Sequence, residues 1–187
     1  SDHAVAIDEE NNFYFWGSTR LRQDAYEGNS DLNGALLRGE LEVKQLEAGN
    51  QFSIILDTQG NVYLWGNPSG NELECRDKER VAEGEDKTPR QYQGNIEKVA
   101  VTEHAYVALL KDGTVAYTGL EKDNALLTNL PAELTDGSVR VVDIAACSQN
   151  AAAIDENGKI WVWGVSTHSE KAVPELESKP VKIYGGR

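Results

Sequence analysis

Short runs in which side chains alternate between the two faces of an extended strand recur along the chain. The clearest are NVYLWG (61–66) and KIWVWG (159–164), and both close on Trp-Gly. Each follows an Asp and a polar turn that contains Gly, giving two matching segments, 57–66 and 155–164. Residues 8–17 repeat the pattern with Asn11 where the others have Gly60 and Gly158. A degenerate copy spans 111–119, with Thr118 in place of the Trp. The turn Gly suits a positive φ, and Asn is the next best residue there. Ahead of each turn lies a second recurring element: an apolar strand, a break of small residues and another apolar strand, at 43–56, 97–110 and 141–154. Each repeat is therefore predicted to hold three strands. A weaker fourth strand is expected at the edge, after Pro89, Pro131 and Pro174 or Pro180, where the missing N–H of proline is tolerated.

The closing positions Trp16, Trp65, Thr118 and Trp163 are spaced by 49, 53 and 45 residues. A strand-rich period of that size predicts an all-β fold, a small β-propeller of four repeats of about 47 residues each. The first copy lacks its opening strand, and VKIYGG (181–186) matches it, so the N- and C-terminal strands are expected to share one blade. The whole chain, 1–187, then reads as a single propeller domain. Blade 1 takes 181–187 plus 1–40, blade 2 takes 41–96, blade 3 takes 97–138 and blade 4 takes 139–180. Pairing of the same half-repeats between chains would instead give a swapped oligomer.

These residues resemble the regulator of chromosome condensation repeat family. Its blades run as an apolar strand, Ala-Gly, a strand, Asp-Gly, a strand ending in Trp-Gly and a Gly-containing loop. Residues 43–73 match best, through Ala48-Gly49, Gly60, Trp65-Gly66 and the loop NPSGNEL, and 141–164 follow closely. His3 fits the family's His position, whereas the third copy lacks both Ala-Gly and Trp. The resemblance implies a propeller. It also implies a choice of roles, because the founding member has seven blades, activates a small GTPase by nucleotide exchange and docks on chromatin, while other members are inhibitors, scaffolds or adaptors. No individual exchange or catalytic residue carries over, and fold alone does not choose among such roles.

Charge narrows the partners. With 18 Lys and Arg against 31 Asp and Glu the net charge is −13, which disfavours nucleic acid and anionic membrane and favours a partner with a basic surface. No apolar run nears the length of a membrane span, and the chain opens without a signal-peptide pattern. The two cysteines make no disulfide framework: Cys147 reads as core filler and Cys75 lies in a charged loop. An intracellular protein, or part of a particle assembled inside the cell, is expected.

Catalytic chemistry is not indicated. His3, His104 and His168 are scattered, no Cys/His spacing resembles a zinc site, and no phosphate loop or nucleophile elbow appears. No metal or cofactor is expected. Asp8, Asp57 and Asp155 stand in turns too short for a Ca²⁺ loop and are assigned to turn capping. Trp16, Gly17, Trp65, Gly66, Gly119, Trp163 and Gly164 are read as blade structure, with the tryptophans packed between blades. Binding residues are sought in the long connectors: Glu72, Glu74, Arg76, Arg80 and Tyr92 in the second, and Arg20 and Arg22 in the first. The expected function is a non-enzymatic protein-binding or structural module, including a component of a larger assembly such as a viral particle. A carbohydrate-binding propeller and a small-GTPase regulator are the alternatives.

Overall fold

The structure, a computed structural model, describes residues 3–10, 13–17, 41–49, 52–66, 94–103, 106–118, 129–165 and 173–186. It divides into two compact units, Ser1–Asn95 and Ile96–Arg187. The regular structure is almost entirely strand: eleven strands and one 3₁₀ turn among the described residues.

In the first unit β1 (His3–Ile7) pairs with β2 (Phe13–Gly17), and β3 (Val43–Ala48), β4 (Phe52–Asp57) and β5 (Val62–Gly66) form a three-stranded sheet in that order. The second unit holds two such sheets. One contains β6 (Ile96–Val101), β7 (Tyr106–Leu110) and β8 (Val115–Thr118), and the other contains β9 (Val141–Ala146), β10 (Asn150–Asp155) and β11 (Ile160–Gly164). All neighbours are antiparallel. The middle strand of each triple has a partner on both sides. In β4 all six residues are buried, which is why FSIILD reads as a continuous run and not as an alternation.

The triples share finer features. The first strand slips register once, between Val43 and Gln45, between Ile96 and Lys98, and between Val141 and Asp143. Each slip leaves an exposed residue (Lys44, Glu97 or Val142) turned out of the ladder, as a bulge requires. The hairpin turns also match. Asp57, Leu110 and Asp155 each donate their N–H four residues ahead, to Asn61, Thr114 and Lys159, and accept one from Gly60, Gly113 and Gly158. Those glycines have φ of 88°, 86° and 84°, a conformation that side chains resist. The turn also ties one repeat to the next, since Gly113 O accepts the N–H of Val141, while within the fourth repeat Arg140 O accepts that of Glu156.

The core of the second unit gathers Val107, Leu109, Val115, Leu134, Ile144, Ala153 and Trp163. Burying side chains of the Val or Leu size contributes about 1.5–3 kcal/mol each. Leu134 reaches this core from the 3₁₀ turn Ala132–Leu134, which corrects the expected edge strand after Pro131. Pro131, at φ −59°, opens that turn, and the fully buried Leu134 anchors it. Residues 173–180, after Pro174, likewise belong to no strand, and Pro89 lies outside the described residues. The described sheets thus have two or three strands.

Residues 181–186, expected to share the first blade, stand apart from the ladders. They join no sheet, and no pairing with β1 is among the described ladders. Their backbone nevertheless runs against β9: Ile183 N–H donates to Asp143 Oδ2 at 2.9 Å, and Gly185 lies so close to the Ala146 carbonyl that a Cβ there would collide with it.

Candidate functional site

The turn carboxylates show how sequence builds rigidity at one end of each hairpin. Asp57 Oδ1 accepts the N–H groups of Gln59 (3.0 Å) and Asn61 (2.8 Å), and Asp155 Oδ1 accepts those of Asn157 (2.9 Å) and Lys159 (3.0 Å). The second oxygen reaches across the hairpin to an aromatic donor six residues on. Tyr63 OH donates to Asp57 at 3.3 Å, Trp161 Nε1 to Asp155 at 3.0 Å and Tyr14 OH to Asp8 at 2.9 Å. Burial, with the Asp57 charge and hydrogen bond adding to it, pushes the Tyr63 phenol up to about 12. Trp161 is further covered by Lys159, whose Nζ lies 3.7 Å from the ring centroid. In the third copy Leu110 replaces the turn Asp, and Asp112 holds the turn through Thr114.

The Trp-Gly pairs close β2, β5 and β11, as placed by Trp16-Gly17, Trp65-Gly66 and Trp163-Gly164. Trp163 is buried, at 3% exposure, in the core of the second unit, whereas Trp16 is 56% exposed. Inter-blade packing is therefore not what Trp16 shows. Its sheet has two described strands. Gly119 and every predicted connector residue (Arg20, Arg22, Glu72, Glu74, Arg76, Arg80 and Tyr92) lie outside the described residues.

The opposite hairpin ends of the second unit converge on a cleft of about 390 Å³, lined by Glu103, the turn Cys147–Asn150, Val165 and Gly186. The turn is held by its own backbone. Cys147 N–H donates to Asn150 O, Glu103 N–H to Ser148 O and Val165 N–H to Gln149 O. Cys147 carries a free, half-buried thiol, 3.6 Å from Asn150 O. Asn150 Oδ1 is buried without a hydrogen-bond partner, and so is the neighbouring Trp163 Nε1. Asn150 pairs with Gly164 in the register where Phe52 pairs with Gly66 and His3 with Gly17. Phe52 is fully buried there, whereas Asn150 is half-buried. Sequence reasoning noted His3 at this register but passed over Asn150, although the same alignment places it.

Among the described residues no group of three or more His, Cys, Asp or Glu stands close enough to hold a metal ion. No described helix is long and apolar enough to cross a membrane.

Comparison with known proteins agrees with the repeat. The regulator of chromosome condensation (RCC1) repeat matches residues 43–71. The chain is 24% identical over 201 residues to the mitochondrial RCC1 domain-containing protein RUG3 of Arabidopsis thaliana, covering 97% of this chain and 45% of that protein. It is 24% identical over 197 residues to Protein RCC1 of Candida albicans, covering 97% and 34%. The crystal structure of Prp20p from Saccharomyces cerevisiae, described with its binding properties to Gsp1p and histones, superposes with a TM-score of 0.61 at 20% identity, covering 88% of this chain and 42% of Prp20p. The chain thus spans less than half the length of these relatives. The repeated hairpins, the repeat matched at residues 43–71 and the shared fold make this chain similar to RCC1 repeat proteins.

Proposed function

We propose that the chain is a non-catalytic protein-interaction module. The observation that carries this reading is the fold it shares with Prp20p, a protein described by its binding to Gsp1p and histones. Rigid three-stranded repeats with internally bonded turns are suited to presenting loops to another macromolecule. A net charge of −13 favours a partner with a basic surface and speeds its encounter. We place its action inside the cell, in line with the mitochondrial designation of RUG3. Membership of a larger assembly, such as a viral particle, is one form of the same role. The repeat order further supports four repeats in one propeller, with 181–186 completing the repeat that 1–17 begins.

Reconstitution tests the reading. A partner recovered by crosslinking in cells is purified and mixed with the chain. A stoichiometric complex by light scattering is the expected result. Failure of the purified pair to associate, together with turnover of any substrate by the chain alone, overturns it. Regulation of a small GTPase is the second reading, favoured by the likeness to Prp20p and its Gsp1p binding. It predicts accelerated nucleotide release from one member of a GTPase panel, and a flat response removes it. Carbohydrate binding gains nothing from Trp161, whose face and N–H are already occupied.

A further inference from the structure

We propose that residues 179–186 form a strap that opens and closes on β9 as a unit while the sheets stay folded, with Asp143 as its catch. The device rests on contacts within the second unit and not on the interaction reading above. Polar contacts tie the strap down. Lys179 Nζ donates to Glu156 O at one end, and Ile183 N–H donates to Asp143 Oδ2 at 2.9 Å in the middle. Near the far end Gly185 lies against the Ala146 backbone, where a side chain finds no room. Apolar burial adds little. Val181 is 75% exposed and Tyr184 83%, only Pro180 and Ile183 of the strap are half-buried, and the core cluster of the second unit holds none of its residues. β10, by contrast, buries Ala151, Ala153 and Ile154. Segments with few buried apolar contacts open at far lower free energy than the core beside them.

The catch is built so that release strands no charge. Asp143 is buried, and its two oxygens have separate duties. Oδ1 accepts Lys98 Nζ at 2.6 Å and the Ile144 N–H at 3.0 Å, and both donors belong to the sheets. Oδ2 accepts the strap. When Ile183 leaves, the carboxylate keeps its cation and one backbone N–H. A buried carboxylate that lost its only partners would hold the strap shut, because an uncompensated buried charge is strongly unfavourable. The Lys179 tie is a smaller barrier, since that side chain is exposed and water competes for its ammonium group. Opening uncovers Ala146 on β9, the edge strand in the order β11-β10-β9. An uncovered edge offers N–H and C=O groups to a new strand. The strap thus governs access to that edge.

The experiment is native-state hydrogen exchange of the full chain in a urea series. The Ile183 amide should be protected relative to an unstructured peptide, yet exchange about a hundred-fold faster than the core amides of β10. Its rate should depend little on urea, because opening the strap exposes little surface. Lys179→Ala leaves Asp143 and Lys98 in place and should speed Ile183 exchange about three-fold with β10 unchanged. Asp143→Asn replaces a charged acceptor by a neutral one and should speed it about ten-fold. Should Asp143→Asn accelerate β10 as well, the Lys179→Ala result decides. Ile183 exchange that matches β10 in rate and urea dependence overturns the proposal, because the segment then opens only when the sheet unfolds. An unprotected Ile183 amide overturns it equally, because nothing then holds the strap closed.

Discussion

Asp57 and Asp155 spend one oxygen on their own turn and the other on an aromatic donor across the hairpin. The buried carboxylate at position 155 accepts three hydrogen bonds, from Asn157, Lys159 and Trp161. Bonds to a charged acceptor are each worth about 1.5–3 kcal/mol, partly recovered by water once the site opens. Asp155→Ala should therefore destabilise the protein by about 3 kcal/mol in chemical denaturation, and Asp155→Asn by less because it retains an acceptor. Asp8→Ala should cost less than either, since its partner Tyr14 is half exposed. Tyr63 adds a pH dependence. Its phenol is raised in the fold from 10.0 to about 12, so its stabilising contribution is complete below the unfolded value and is lost as pH rises from 10 through 12. Denaturation curves over that range should show Tyr63→Phe losing less stability than the parent, and parallel curves would refute the assignment. The turn Asp was visible in the sequence, because Asp followed by Gly before a Trp-Gly strand is a local pattern. Its aromatic partner was not, since a contact six residues away depends on hairpin register.

Strands within a repeat were legible for the same reason, and what joins one repeat to the next was not. Asp143 shows why. Its buried carboxylate accepts Lys98 Nζ at 2.6 Å from the first strand of the preceding repeat and Ile183 N–H at 2.9 Å from the segment that follows. Lys98 and Asp143 follow equivalent bulges, so one side chain row links three stretches of chain, but nothing in either strand's own pattern announces the pairing. Removing the lysine strands a buried negative charge. For fully buried pairs that costs about 3–5 kcal/mol, and because the Lys98 side chain is 33% exposed the expected loss for Lys98→Met is about 2 kcal/mol, read from the urea midpoint. VKIYGG was read as a strand because its pattern matches the opening strands β3 and β9. In the fold it is extended but unladdered, and Gly185 is there because the Ala146 carbonyl leaves no room for a side chain. Gly185→Ala should lift this segment off β9. Hydrogen exchange at the Ile183 amide should speed up with little change at the β10 amides, whereas uniform acceleration would mean global destabilisation. The 3₁₀ turn at Ala132–Leu134 escaped the sequence for a related reason: a proline before a short polar stretch fits an edge strand and a tight turn equally, and burial of Leu134 decides between them.

For the molecule as a whole the open quantity is how many chains make one particle. The described strands count two, three, three and three across the four sheets, and a two-stranded hairpin is marginal in water without a third strand or a packed face. The first repeat therefore gains from an inner strand, and the sequence holds one candidate with the right pattern, 181–186. If the chain supplies it to itself, light scattering should give a mass near 20.5 kDa, independent of concentration. If a neighbouring copy supplies it, the mass should be a defined multiple that falls on dilution. We expect the monomer, because an intramolecular strand is present at an effective concentration that a second chain reaches only when concentrated. Truncation after residue 180 separates this from a mere solubility effect. In a monomer closed by its own strand, the truncated chain should lose stability and begin to associate through the newly exposed edge of β1. A truncated chain that stays monomeric with an unchanged melting curve would show that 181–186 completes nothing, and that the first repeat is held by residues elsewhere in the chain.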